Sequence, residues 1–291
     1  MLLKTLLLIL PILVSANLLL DYNAARGDAP DTLGLLNLEA ARDDKVAANR
    51  ADLYIKLGTD PKGVTALHVH RDKGDIRAEY HALKDKTAAD KTYYIGYSFS
   101  LGTVTDNLVL FQWKEYKNTA LQNIPLDLEF NGDVLEFNYQ APGTNTKRVR
   151  QWGKQLTTGV NYHIGLVINT ASTGYIEIYF DGVQQKFDNG QTKVTGQFFT
   201  GQADPKFGAY RGEAVAVDTY IYQVQIGTTL EDVKSAAGIG GSTKTTTTTP
   251  SSTPTGQPAC TWIGHCLGDK CATSDDCDQD WVCTGGVCAT A

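Results

Sequence analysis

Ten or more short runs of alternating apolar and polar residues, with no helix-length periodic stretch between them, constrain this chain more than any other feature. They span residues 66–70, 75–81, 93–101, 108–114, 126–131, 134–139, 147–152, 162–169, 175–180, 206–211 and 215–226. Turn chemistry separates them at Asp72-Lys73-Gly74-Asp75, Asn131-Gly132-Asp133, Pro142-Gly143 and Asp181-Gly182. Strands that follow one another without crossover helices pair antiparallel, which predicts an all-β fold, a two-sheet antiparallel β-sandwich of jelly-roll type. One short helix is expected within residues 31–50. No internal repeat and no phosphate-binding glycine loop is seen.

The 291 residues suffice for one large domain and something small. Residues 1–16 read as a secretory signal peptide: Lys4, an apolar run from Leu6 to Val14, and a small-residue cleavage site at Val14-Ser15-Ala16. The apolar run is too short to span a bilayer, so a secreted, extracellular, soluble protein is expected, acting as a monomer without membrane contact. The net charge of -6 argues against nucleic acid as a partner.

Residues 17–238 form the expected main domain. Residues 239–258 follow as a Thr/Ser/Pro-rich linker, with Thr245 to Thr249 in a row and no room to bury apolar area. No Asn-x-Ser/Thr sequon occurs, so the sugar expected on the linker is O-linked. Residues 259–291 carry all six cysteines, Cys260, Cys266, Cys271, Cys277, Cys283 and Cys288. In a secreted chain that density predicts a small disulfide-rich module of three bridges, with fifteen possible pairings. A metal site fits the spacings less well, since no Cys-x2-Cys occurs. Trp262 and Trp281 are either a stacking face for sugar or the module's small core.

Three strands of the main domain concentrate polar groups on one face. In 75–81, alternation puts Arg77, Glu79 and His81 together, with Ile76, Ala78 and Tyr80 pointing away. In 109–114, Val109, Phe111 and Trp113 point one way, Gln112 and Lys114 the other. In 206–211, Lys206 and Tyr210 share a face with Gly208 between them, leaving a gap where a polymer can lie against a phenol.

These segments resemble the signatures of jelly-roll polysaccharide lyases, with an Arg-x-Glu strand, a Gln-x-His strand and a Lys-x-Gly-x-Tyr strand. Among them the likeness is to the glucuronan lyases of polysaccharide lyase family 20, over roughly residues 20–230. The resemblance implies a concanavalin A-like sandwich whose three strands line one concave groove, an acidic polysaccharide substrate, and no organic cofactor. It also implies a structural calcium away from the chemistry, for which Asp218, in the strand Val217-Asp218-Thr219-Tyr220-Ile221-Tyr222, is the candidate ligand. Lys114 departs from the pattern by standing where related alginate lyases carry the His of Gln-x-His. His68, His70 or His81 are candidates for that second catalytic group. The Cys-rich tail resembles small modules appended to secreted fungal polysaccharide-active enzymes.

A polyuronate can be cut without water by β-elimination, in which a base takes the C5 proton next to the carboxylate and the C4–oxygen bond breaks. The carboxylate must be neutralised as charge builds up, which suits Arg77 and Gln112, with Glu79 orienting Arg77. A tyrosinate or neutral His can be the base; Tyr210 near Lys206 and Lys114 fits, and one Tyr can also protonate the leaving oxygen. Lys147, Arg148, Arg150, Lys154, Arg71 and Arg211 are expected to supply cations for an acidic polymer. His163 and His265 are read as structural.

Three alternatives stand beside a glucuronan lyase: an alginate-type lyase, a non-catalytic lectin-like glycan binder, and a sandwich glycoside hydrolase. For the last, Asp127-Leu128-Glu129-Phe130 faintly resembles part of a Glu-x-Asp-x-x-Glu signature. With Asp127 as its central Asp, however, both Glu positions are taken, by Pro125 and Phe130.

Overall fold

The computed structural model describes residues 18–39, 49–143, 146–240, 282–285 and 287–289. The chain divides into two compact units, Met1–Thr243 and Lys244–Ala291.

In the first unit the strands are β1 (Leu20–Asn23), β2 (Leu35–Leu38), β3 (Leu53–Thr59), β4 (Thr65–Arg71), β5 (Arg77–His81), β6 (Thr92–Leu101), β7 (Val109–Glu115) and β8 (Leu126–Asn131). They continue as β9 (Val134–Gln140), β10 (Arg148–Gln155), β11 (Asn161–Asn169), β12 (Gly174–Phe180), β13 (Val183–Gln184), β14 (Val194–Gly196), β15 (Ala203–Tyr210) and β16 (Val217–Gly227). One sheet has the order β13-β12-β11-β6-β16-β4-β3, with β1 on β16 and β14 on β12. The other has seven strands in the order β10-β9-β8-β7-β15-β5-β2. Every described pairing is antiparallel, so the expected two-sheet β-sandwich is the fold observed.

The inner faces supply one continuous apolar core. Rings from the two sheets meet across it: Tyr97 of β6 and Phe207 of β15 have centroids 5.2 Å apart, Tyr93 and Trp113 5.5 Å. This is ordinary face-to-face sheet packing, in which alternate residues of the central strands are committed to the core.

One expectation falls only partly within the described residues, and another needs correction. The stretch expected to hold a short helix contains a 3-10 turn at Pro30–Leu33 and then the edge strand β2, while residues 40–48 lie outside the described residues. Leu33, Leu35, Leu36 and Leu38 fit helical spacing as well as a short apolar strand; pairing with β5, which sets Leu36 opposite Tyr80, decides it. Strict alternation also fails at two places in the seven-stranded sheet. A register shift between Val109 and Phe111 turns Val109 opposite Tyr210 and Glu129, and the core takes Leu108, Leu110 and Phe111 instead. A second shift, between Arg150 and Trp152, sends Trp152 into the core while Arg148 and Arg150 face outward.

The second unit contributes a described hairpin, β17 (Val282–Thr284) with β18 (Val287–Ala289), in which Cys283 stands opposite Cys288. The other four cysteines and both tail tryptophans lie outside the described residues, as do residues 1–17 and 241–281. Among the described residues no helix is long and apolar enough to cross a membrane.

Candidate active site on the seven-stranded sheet

Two rows of directly opposed residues cross the seven-stranded sheet. One runs His81, Lys206, Gln112, Asp127, Asn138, Arg150; the other runs Arg77, Tyr210, Val109, Glu129, Glu136. Opposed residues share a face, and their chain neighbours Tyr80, Phe207, Phe111, Leu128 and Phe137 are in the core, so both rows lie on the outer face.

Glu79 anchors this face. It is 1% exposed and accepts hydrogen bonds from Arg77 Nε at 3.1 Å, from Lys206 Nζ at 3.1 Å and from the Gln112 amide. A carboxylate tolerates such burial only when paired and hydrogen-bonded. The arrangement corrects two assignments. Gln112, expected to meet a uronate carboxylate, is 2% exposed and commits its amide to Glu79. Lys206, expected beside the phenol of Tyr210, is buried and held by the same carboxylate.

The cations around Tyr210 are arginines. The Arg77 guanidinium lies 4.7 Å from the Tyr210 ring centroid and that of Arg211 5.0 Å. Arg148 is within electrostatic reach of the same phenol; burial lowers its pKa while Tyr210 works against that shift. Lys114 points elsewhere: its Nζ donates to the Glu115 carbonyl at 2.9 Å and bonds Asn123, lying over the Tyr116 ring.

Gly208 has a different reason from the one expected. Its φ is +144°, and a Cβ there would lie 2.2 Å from the Ala78 carbonyl oxygen and 2.8 Å from Glu79 Cα. The glycine therefore permits close approach of β15 to β5. Open space on this face lies farther along the sheet, in a cavity of about 640 Å³ over β8 to β10, lined by Asp106, Glu129, Glu136, Asn138, Gln140 and Arg148 among others. Burial, then the carboxylates of Glu136 and Asp106, push Glu129 above the ordinary carboxylate range, against the pull of Arg211.

Lys147 lines the cavity, while the arginines expected to form a basic surface are bonded within the fold. Arg148 bonds Asp127 and, at 3.2 Å, Glu129; Arg150 reaches Asp188 at 3.1 Å and Glu136 at 3.4 Å; Arg211 reaches Glu213 at 3.0 Å. Arg71 is fully buried and donates to the carbonyls of Asp75 and Arg211. Lys154 lies over the Phe180 ring.

The histidines do not join Tyr210. His81 belongs to the polar row but is 2% exposed; its Nε2 pairs with the buried Asp204 at 3.0 Å and its ring stacks on Tyr116 at 4.8 Å. It is part of the floor, closed to a polymer. His68 and His70 belong to β4 of the other sheet, alternating with the core residues Leu67 and Val69, so they face away from the core on the opposite side of the sandwich. They therefore cannot serve as the second catalytic group beside Tyr210: alternation shows that they share a face but not which sheet carries it.

Asp218 of β16 lies with them, its Oδ1 2.7 Å from His68 Nε2 and 2.8 Å from His70 Nδ1. Calcium binds through six to eight oxygens, so a cluster in which two of three donors are imidazole nitrogens does not fit the expected calcium.

Asp127, Glu129, Glu136, Asn138 and Gln140 line or support the cavity without having been picked out as lyase residues. The signal was present: Asp127 with Glu129, and Glu136 with Asn138 and Gln140, alternate with apolar residues in their strands.

No family model matches the chain. The endo-β-1,4-glucuronan lyase of the fungus Trichoderma reesei shares 16% identity, with a TM-score of 0.50 over 69% of this chain and 93% of that one. A carbohydrate esterase of the Shiga toxin-encoding bacteriophage phi24B gives a TM-score of 0.50 at 12% identity, over 74% and 99%. An alginate lyase of polysaccharide lyase family 7 gives 0.47 at 13% identity, over 68% and 96%. A 35-residue stretch is 46% identical to endo-chitosanase C of Aspergillus oryzae, which is 12% of this chain and 9% of that protein. Identities this low show a shared β-sandwich fold, one that carries both a lyase and an esterase at a TM-score of 0.50, so the chemistry has to be argued from the site.

Proposed function

We propose that this protein is a polysaccharide lyase that cleaves a polyuronate, β-1,4-glucuronan first among candidates, by β-elimination. The observation that carries the reading is Tyr210 on the outer sheet face, with the guanidinium groups of Arg77 and Arg211 on its ring, Arg148 in electrostatic reach and a cavity over β8 to β10 farther along the same face. Arg77, aimed by Glu79, holds the uronate carboxylate so that negative charge can build on C5 and the carboxyl oxygens. Entering the step deprotonated, the Tyr210 oxygen takes the C5 proton, the C5–H electrons form the C4–C5 double bond, and the C4–oxygen bond breaks. The leaving oxygen then receives a proton from the same phenol where both groups lie on one side of the ring. Gln112 and Lys206 act through Glu79 as positioning residues. The glucuronan lyase fold is consistent with this reading.

A second reading, hydrolysis, is favoured by one feature: Glu129 and Glu136 are directly opposed on β8 and β9, and Glu129 is pushed up toward a proton-holding carboxyl. The two reactions leave different ends. Purified protein incubated with β-1,4-glucuronan, alginate and heparin in parallel is expected to raise ultraviolet absorbance on a polyuronate, from the C4–C5 double bond. New reducing ends without that absorbance, lost in Glu129→Gln, would establish hydrolysis. Binding without either product would establish a lectin-like protein.

A further inference from the structure

The cluster on the far face of the sandwich has the makings of a transition-metal site. We propose that His68, His70 and Asp218 hold one first-row transition-metal ion of the zinc class, joining β4 to β16 away from the proposed catalytic face. The three donor atoms lie within 4.8 Å of one another, and both imidazoles converge on the same carboxylate oxygen. Two imidazoles and one carboxylate are a usual protein donor set for zinc, with a water or further ligand completing four-coordination.

The surroundings fix these groups in place. Tyr54 stacks on His70 with centroids 5.0 Å apart, and Tyr220 stacks on His68 at 4.7 Å. Each ring's outward nitrogen meets an oxygen: His70 Nε2 lies 3.3 Å from Asp72, and His68 Nδ1 lies 3.3 Å from the Tyr54 hydroxyl. Outer partners of this kind set the tautomer and leave the inward nitrogen's lone pair for a metal. The Asp218 backbone is held by bonds with Gly102 and Thr103, and a Cβ at residue 102 would lie 2.9 Å from Asp218 Cβ, so glycine there makes room for it. The three side chains are 18–33% exposed, open to an ion from solvent. Metal bonds of about 2.1 Å at tetrahedral angles separate ligand atoms by roughly 3.4 Å. Against the present 2.7 and 2.8 Å, binding therefore requires the Asp218 oxygen and the two nitrogens to move apart by about 0.6–0.7 Å.

The site is tested with untagged protein stripped by chelator. Titration calorimetry with zinc alone is expected to show one equivalent bound and a raised melting temperature, with no comparable effect of calcium. Cobalt is expected to give visible d–d bands without thiolate charge transfer, which separates these ligands from the cysteines of the tail and needs no variant. His68→Ala and His70→Ala are expected to abolish the signal, and Asp72→Asn to weaken zinc affinity roughly tenfold, while His163→Gln leaves it unchanged. Absence of zinc binding by the stripped protein, binding that survives loss of either histidine, a thiolate signature, or preference for calcium would each overturn the proposal.

Discussion

Arg77 and Tyr210 stand directly opposite each other on β5 and β15, with the guanidinium 4.7 Å from the centroid of the phenol ring. The pairing puts the group that would hold a uronate carboxylate beside the group that would take its neighbouring proton. Removing only the hydroxyl, in Tyr210→Phe, preserves the ring and its cation contacts. The variant is expected to lose roughly 10²- to 10⁴-fold in ultraviolet-detected turnover with its melting temperature unchanged to within about 2 °C. Retained turnover would remove Tyr210 from the chemistry.

Arg77→Lys keeps a cation but loses the fork that reaches two carboxylate oxygens at once, and it disturbs the bond to Glu79. Turnover on the polyuronate is expected to fall by about one to two orders of magnitude, mainly in kcat, because the interaction strengthens as charge develops. A rise in KM at constant kcat would show uniform substrate binding instead.

Glu79 is the buried counterion for two cations, so Glu79→Gln leaves Arg77 and Lys206 without their carboxylate. The expected cost is about 3 kcal/mol, read as a melting temperature lower by roughly 6–12 °C. Adding Lys206→Met to that variant is expected to restore part of the loss, since the two changes share one interaction. Additive losses would show that the two side chains are not coupled.

How far the alphabet of residues reached is clearest on β5 and β7. Period-two alternation was enough to group Arg77, Glu79 and His81, because β5 pairs with β15 without a register shift. It misplaced Val109, because a bulge adds one residue on one side of a ladder and leaves no mark in the pattern of a single strand. Nor could it show that Glu79 takes Lys206, 127 positions away, or that His68 and His70 meet Asp218 about 150 positions on in the other sheet. Alternation tells which residues share a face; partner strand and sheet are set by the chain's long-range pairing. The same limit explains why the lysines were expected at Tyr210 and the arginines were found there.

Gly208→Ala places a methyl group against the Ala78 carbonyl at a φ of +144°, so backbone must move. The expected destabilisation is about 2 kcal/mol or more. Gly132→Ala, at φ +62° with nothing within 4 Å of the new Cβ, is expected to cost only roughly 1 kcal/mol. Equal urea midpoints for the two variants would refute the close-approach account of Gly208.

Asp204 links the floor of the site to acid stability. Burial raises its pKa, but hydrogen bonds from His81, Gln202 and Thr87 outweigh burial and hold it below the ordinary carboxylate range. A depressed folded-state value means that the folded protein takes up this proton less readily than the unfolded chain. The contribution is therefore complete above the unfolded Asp value of about 4 and is lost as pH falls through the lower folded value. Asp204→Asn removes that dependence along with the charge that His81 faces. Urea midpoints followed from neutral pH to about pH 2 should fall more steeply in the wild type than in the variant through the acid limb. Parallel curves would mean that other carboxylates govern acid unfolding and that the His81–Asp204 pair stabilises the floor by packing and hydrogen bonding alone.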